Sequence, residues 1–66
     1  MAMFIEKLPD IKKRTSLSRS TIYAKIAKGT FPKQISLGGR SVGWVSSEID
    51  DWITNQIKIS RNGQKG

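Results

Sequence analysis

The sequence contains no cysteine and no histidine, and it has only five acidic residues among its 66 positions. Without cysteine, neither a disulfide nor a thiolate-bound metal can stabilise the fold. Without histidine, a zinc site would depend on carboxylates alone, and the acids are too dispersed along the chain to suggest one. Apolar packing must therefore hold this chain together, and its length allows one domain at most.

The residues present do not form the patterns expected of an enzyme or of a membrane protein. No serine has a histidine partner, and no two carboxylates are placed as an acid and base pair, so we expect no catalytic activity. No apolar run approaches the roughly 20 residues of a membrane span, and the N-terminus lacks the pattern of a signal peptide. The sequence predicts a cytoplasmic protein without cofactor, metal, membrane or small-molecule substrate.

The positive charge of the chain is concentrated in its first two thirds. Twelve lysines and arginines outnumber the five acids and give a net charge of +7. Between Lys7 and Arg40 the only acid is Asp10, whereas three other acids cluster between positions 48 and 51. A molecule with one basic side favours a polyanionic partner, and nucleic acid is the most common partner of this kind.

Two short helices are predicted in the basic region. The first begins near residues 8–10, where a proline and an acid suit a first helical turn, and it ends around Thr15. Ser18 is a favourable N-cap for the second helix, which Gly29 ends. Only Ser16–Leu17 separates the first helix from this cap, and so short a connection is typical of a helix-turn-helix.

A β-hairpin and a third helix complete the predicted fold. Residues 33–37 and 40–44 flank Gly38-Gly39, which suits a two-residue turn. The turn predicts the pairs Leu37–Arg40, Ile35–Val42 and Lys33–Trp44. In that register four apolar side chains share the core face of the hairpin: Ile35, Leu37, Val42 and Trp44. The third helix is expected to begin at Ser46 or Ser47, with an apolar stripe at positions 49, 52, 53 and 57.

These elements predict a mainly α protein with a small β-hairpin, a winged helix-turn-helix of order α-α-β-β-α in a single domain. We expect residues 1–6 to form an N-terminal lead-in, residues 7–57 to form the DNA-binding domain, and residues 58–66 to form a flexible basic tail. The tail assignment depends on its polar, glycine-containing composition.

The candidate DNA contacts lie on the second helix, the hairpin tip and the first helix. Opposite the buried Ile22 and Ile26, the second helix carries small, polar and basic side chains that suit the major groove. Arg19 lies nearer the buried side, but it emerges from the first turn and is long enough to reach outward. Arg40 at the hairpin tip suits a minor groove or a phosphate, and the basic run on the first helix suits phosphates. An ordinary solvated surface is the alternative explanation for each, except that Tyr23 could equally be half-buried packing. The candidate residues are Arg19, Ser20, Thr21, Tyr23, Ala24, Lys28, Arg40, Lys13 and Arg14.

Several of these residues stand in motifs that resemble a known family. The motifs are Leu-Ser-Arg-Ser-Thr-Ile-Tyr at 17–23, Phe-Pro-Lys at 31–33, and Gly-Gly-Arg followed by Gly-Trp between 38 and 44. In this order they resemble the AlpA family of phage and prophage regulators, which is similar to excisionases and to MerR-type winged helix-turn-helix domains. The resemblance implies that the second helix is the recognition helix and that Arg40 belongs to the wing.

The sequence thus predicts a sequence-specific protein that binds double-stranded DNA. The resemblance implies two roles for it: a transcription regulator of prophage or mobile-element genes, or an excisionase-like recombination directionality factor. Its partner would be operator or attachment-site DNA, which the protein would bind as a homodimer or as a cooperative array. The alternative is a small protein-interaction module, or an adaptor that inhibits a phage or host factor, in which the basic face would be incidental.

Overall fold

A computed structural model describes residues 4–63, which form three helices and a three-stranded sheet. The elements in chain order are β1 (Ile5–Glu6), α1 (Leu8–Thr15), α2 (Arg19–Ala27), β2 (Ile35–Gly38), β3 (Ser41–Val45) and α3 (Ser46–Gly63). The predicted mainly α fold with a small hairpin is confirmed. We call the β2–β3 hairpin the wing.

The connection between α1 and α2 has the predicted form. Helix α1 ends at Thr15, and Ser16 takes a left-handed conformation with φ 60° that turns the chain. Ser18 then caps α2, because its side-chain oxygen accepts a hydrogen bond from the backbone N–H of Thr21 at 3.2 Å. This tight turn places α2 directly after α1, as in a helix-turn-helix.

Gly29 ends α2, again as predicted. Its φ of 77° lies in the left-handed region that glycine adopts without steric cost. The backbone N–H of Gly29 donates to the carbonyl of Ile26 at 3.0 Å, and that of Thr30 donates to the carbonyl of Lys25 at 2.9 Å. These two bonds form a Schellman motif, which satisfies the last carbonyls of the helix and redirects the chain toward the wing.

The core lies between α1, α2, the sheet and the first half of α3. Its buried members are Ile11, Ile22, Phe31, Trp44 and Ile49. Trp44 is the largest fully buried side chain, and its indole N–H donates to the carbonyl of Pro32 at 3.0 Å. Trp52 is half-buried, and its indole N–H donates to the carbonyl of Thr30 at 2.7 Å. The two tryptophans therefore hold the segment that joins α2 to the wing.

The predicted register of the wing is wrong. The observed pairs are Ile35–Gly43, Ser36–Val42 and Gly38–Ser41, with an irregularity between Ser36 and Gly38. The two-residue turn is therefore formed by Gly39 and Arg40. Gly38 ends β2 with a φ of 105° instead of opening the turn. The predicted two-residue turn and uninterrupted pairing made no allowance for this bulge, which adds a residue to one strand and shifts the pairing.

The corrected register moves two predicted core residues to the outer face of the sheet. Ile35 and Leu37 are 39% and 43% exposed, whereas Trp44 is fully buried on the opposite face. The side chains of Leu37 and Ile5 cover Gly43 on this outer face. A Cβ added at Gly43 would stand 3.1 Å from Leu37 Cδ1 and 2.5 Å from Ile5 Cγ2. The absence of a side chain at Gly43 allows the apolar side chains of β1 and β2 to cover the middle of β3.

Strand β1 lies in the segment expected to be a lead-in. Ile5 pairs with Val45 and Glu6 pairs with Trp44, so β3 is the central strand of the sheet. Two residues are too few to show an alternating pattern, which is why the sequence did not predict this strand. Residues 1–3 of the predicted lead-in lie outside the described residues.

Helix α3 is longer than predicted, because it continues past Ile57 to Gly63. The added residues contain no proline, and the basic Lys58 and Arg61 are favourable near the negative end of a helix dipole. Residues 58–63 are thus helical where a flexible tail was expected, and the rest of that tail lies outside the described residues. Along residues 4–63, no helix combines the length and apolar character needed to cross a membrane.

Replacing Gly43 with alanine should lower the free energy of unfolding by about 1–3 kcal/mol, because the new methyl group would crowd Ile5 and the carbonyl of Glu6. Urea denaturation followed by tryptophan fluorescence would measure this loss. The double variant Gly43→Ala with Ile5→Ala is the control, and it should recover part of the loss by making room. An unchanged midpoint for the single variant would contradict the close packing of this face.

Candidate nucleic-acid interface

Five of the predicted DNA contacts on α2 are exposed, and we call the surface that they form the α2 face. It consists of Arg19, Ser20, Thr21, Ala24 and Lys28; Arg19 lies at the edge nearer the buried side of the helix, about 180° around the axis from Lys28. Four of them, Ser20, Thr21, Ala24 and Lys28, line one shallow depression, while Arg19 and Ser20 line a neighbouring one with Ser18 and Tyr23. The structure therefore brings together six of the nine predicted residues: these five and Tyr23.

Hydroxyl groups order the first turn of α2. The Ser18 hydroxyl donates to Thr21 Oγ1 at 2.9 Å, and it also lies 3.3 Å from the Ser20 hydroxyl. The backbone N–H groups of Thr21 and Ile22 are bonded to Ser18, through its side chain and its carbonyl respectively. The preceding N–H groups of Arg19 and Ser20 have no acceptor within the helix, as at any helix start. This end of α2 thus offers donors and a positive dipole to an anion.

Tyr23 links the α2 face to the core. Its half-buried ring packs edge-on against Trp44, with ring centroids 6.3 Å apart and an interplanar angle of 63°. On the other side, the guanidinium carbon of Arg19 lies over the Tyr23 ring, 5.3 Å from its centroid. Such a cation–π contact restricts an otherwise flexible side chain. Arg19 is therefore held along the helix surface, over a ring that is itself supported by the core.

The structure adds side chains that the predicted set did not include, among them Lys25 and Gln56. Lys25 and Gln56 line the same depression as Ser20 and Lys28. Lys25 is detectable from the sequence, because it stands four residues after Thr21 and three before Lys28 on the helix. Gln56 belongs to α3, far along the chain, so its position beside α2 depends on tertiary packing that no local pattern reveals.

The wing and α1 carry the remaining predicted residues. Arg40 is exposed in the two-residue turn at the tip of the wing, where the sequence placed it. At Ser41, directly after this turn, the Lys7 ammonium donates to the serine hydroxyl at 3.2 Å, which adds a second cation near the wing tip. Lys13 is exposed on α1. Neither Arg40 nor Lys13 lines the depressions on α2.

Arg14 is bound to carboxylates, which differs from its predicted role as a phosphate contact. Its two terminal nitrogens form ion pairs with Glu6 on β1 and Asp50 on α3. The Glu6 carboxylate also accepts a hydrogen bond from the Ser46 hydroxyl at 2.7 Å. Arg14 thereby connects three elements, and both of its terminal nitrogens are engaged by carboxylates of the fold.

The carboxylates around Arg14 raise its pKa and so favour its charged form. The hydrogen bond to Asp50 is the largest contribution that raises the pKa of Arg14 above its usual value, and the bond to Glu6 adds to it. The Glu6 side chain is only 14% exposed, and its Oε1 atom is buried without a hydrogen-bond partner. A carboxylate in that position requires a positive partner, because burying an unpaired charge is costly.

The acidic side chains of the described residues lie outside the two depressions on α2. Glu6 and Asp50 are paired with Arg14, and Asp10 lies at the start of α1, where it accepts a hydrogen bond from the Lys7 backbone at 3.4 Å. Glu48 and Asp51 line an adjoining groove beside Pro32, which shares Thr30 and Gln56 with the depression on α2. Within residues 4–63, neither depression on α2 is lined by an acid. The fold therefore keeps the acidic side chains out of the depressions that the basic side chains of α2 line.

The chain is similar in sequence to known proteins of phages and bacteria. The profile of the family described as "Prophage CP4-57 regulatory protein (AlpA)" matches residues 5–57. The chain is 44% identical over 57 residues to the uncharacterized protein ORF88 of Enterobacteria phage P4. The matched segment covers 86% of the chain but only 65% of that relative. It is 38% identical over 64 residues to the "DNA-binding transcriptional activator AlpA" of Escherichia coli (strain K12), covering 88% of the chain and 91% of that protein.

Replacing Arg14 with methionine should lower the free energy of unfolding by about 1–3 kcal/mol, because the largely buried Glu6 carboxylate would lose its charged partner. Thermal unfolding by circular dichroism would measure the change. Lys13→Met is the matched control, since it removes the same charge from an exposed position of α1 and should change stability by less than about 0.5 kcal/mol. Equal stability of the two variants would show that the ion pairs do not support the fold.

Proposed function

The chain belongs to the family of prophage regulatory proteins named after AlpA, and from this premise we propose that it binds duplex DNA and regulates transcription. The observation that carries the proposal is the α2 face, which is exposed, basic and free of acidic neighbours in its two depressions. The name of the Escherichia coli relative, a DNA-binding transcriptional activator, supports the same function.

Helix α2 would enter the major groove. Ser20 and Ala24 are small and exposed, so the helix backbone can approach base edges closely. Arg19 and the hydroxyl groups of the first turn supply donors to bases or phosphates. The buried Ile22 on the opposite side fixes α2 to the core, which gives the reading face a rigid support.

Phosphates would be bound on both sides of this contact. The start of α2 offers backbone N–H groups and a positive dipole to one phosphate. Lys25 and Lys28 lie along the same depression, where they neutralise phosphates further along the strand. Arg40 at the exposed wing tip would reach an adjacent minor groove or the backbone beside it.

The small size of the module favours more than one copy on each DNA site. A single α2 face presents few side chains to base edges, which limits the specificity that one copy provides. We propose that operators hold two or more copies, as a dimer or as a cooperative array. Footprint length against protein concentration would test this part of the proposal, because one copy protects a single short segment.

A fluorescence anisotropy titration against random-sequence duplex DNA at several salt concentrations tests the proposed binding. We expect the logarithm of the affinity to fall steeply and linearly with the logarithm of the salt concentration, because phosphate contacts release counterions. Undetectable binding at low salt, or binding indifferent to salt, would overturn the proposal and favour a protein-interaction module. Unlabelled heparin is the control for binding to any polyanion.

Regulation requires a separate measurement, because a recombination directionality factor would also bind duplex DNA. A promoter reporter with the regulatory DNA of the element that encodes this chain should change its output when the chain is expressed. If the reporter is unaffected while excision of the integrated element depends on the chain, the excisionase-like role replaces transcriptional regulation as the proposed function.

Arg40→Ala should weaken binding to duplex DNA by about tenfold and reduce the salt slope by about one, because one cation leaves the interface. Stability should not change, since Arg40 is exposed in a turn. Lys58→Ala removes the same charge from an exposed position on α3 and is the matched control. Equal affinities of the two variants would remove the wing from the mechanism.

A further inference from the structure

Among the basic residues at the surface of α2, Arg19 differs from the lysines in its surroundings. It is the only arginine on α2, and its guanidinium lies over the ring of Tyr23, one helical turn further along. Lys25 and Lys28 carry compact ammonium groups without a fixed set of donors. Arg14, the arginine on the preceding helix, is occupied by Glu6 and Asp50. Arg19 therefore has both a planar donor group and a support that restricts its movement.

The support of Arg19 extends into the core. Tyr23 is half-buried, and its ring packs edge-on against the fully buried Trp44. Trp44 in turn is fixed by its hydrogen bond to the Pro32 carbonyl. The position of the guanidinium thus depends on a series of packed groups, whereas most exposed arginines must lose side-chain freedom at the moment they bind.

A cation–π contact uses the face of the aromatic ring and leaves the N–H donors of the guanidinium available. In the major groove, an arginine with two such donors matches the O6 and N7 acceptors of guanine, and no other base presents that pair. We infer that Arg19 reads a guanine in the major groove and that Tyr23 is its positioning residue, acting through its ring. This inference rests on the proposed function of α2.

The inference assigns Tyr23 a role different from a direct DNA contact. If the hydroxyl of Tyr23 bound a phosphate, removing it would weaken binding to all DNA sequences alike. If the ring positions Arg19, removing only the hydroxyl changes nothing, while removing the ring weakens discrimination at one base pair. Tyr23→Phe and Tyr23→Leu therefore separate the two roles.

The experiment begins with the wild-type chain, which selects duplexes from a random pool at fixed salt. We expect the selected motif to contain a guanine whose replacement by 7-deazaguanine, or by adenine, weakens binding. Affinities for the selected duplex and these substituted duplexes are then measured for wild type, Arg19→Lys, Tyr23→Phe and Tyr23→Leu. The salt slope is recorded for each variant, and thermal unfolding verifies that each is folded.

Arg19→Lys should reduce the preference for guanine over 7-deazaguanine by about 10- to 100-fold with an unchanged salt slope, because the charge stays while the paired donors are lost. Tyr23→Leu should reduce that preference by about two- to fivefold, and Tyr23→Phe should leave it unchanged. In the Arg19→Lys background, Tyr23→Leu should have no further effect on the preference, whereas a purely structural loss would lower affinity in both backgrounds.

Three outcomes would overturn the inference while leaving the proposed function in place. One is a selected motif without a required guanine. The second is an Arg19→Lys variant that weakens binding to guanine and 7-deazaguanine duplexes equally. The third is a Tyr23→Phe variant as impaired as Tyr23→Leu, which would assign the hydroxyl to a direct contact. If the wild type selects no duplex at all, sequence-specific DNA binding itself fails, and the inference fails with it.

Discussion

The burial of Trp44 is the constraint on which most of this small structure depends. Its backbone pairs with Glu6, its indole N–H binds the Pro32 carbonyl, and its ring supports Tyr23. Because it is fully buried, the face of β3 that carries it must point inward, and the neighbouring Gly43 must point outward. The cover of the sheet and the support of the α2 face both follow from this orientation.

The helices could be predicted from the sequence because their ends are determined locally. Ser18 caps α2 through its own side chain, and Gly29 supplies the left-handed conformation that a Schellman motif needs. The predicted register had Trp44 of β3 facing the core, as observed, but it failed on β2, because the bulge between Ser36 and Gly38 shifts which residues of β2 pair with β3. Strand β1 was missed because it is too short to show a pattern, and the position of Gln56 beside α2 was missed because it depends on tertiary packing.

The exposure of the candidate residues on α2 was easier to predict than the pairing of the sheet, because burial along a single helix follows its period. The residues opposite Ile22 are exposed as expected, and the wing tip presents Arg40. Arg14 shows the limit of such reasoning, because a basic side chain on a helix surface looks the same in sequence whether it faces solvent or a carboxylate. Only the fold brings Glu6 and Asp50 to it and so reveals that it joins β1 and α3.

The pairing of β1 with β3 has a consequence for the order of folding. The helix-turn-helix and the wing are built from contacts between residues close in the chain, which form quickly because little loop entropy is lost. Strand β1 must instead join Val45 from the far side of both helices, and its Glu6 meets Ser46 across 40 positions. We therefore expect β1 to dock last during folding and to detach first during unfolding, which would uncover Gly43 while α2 and the wing remain formed.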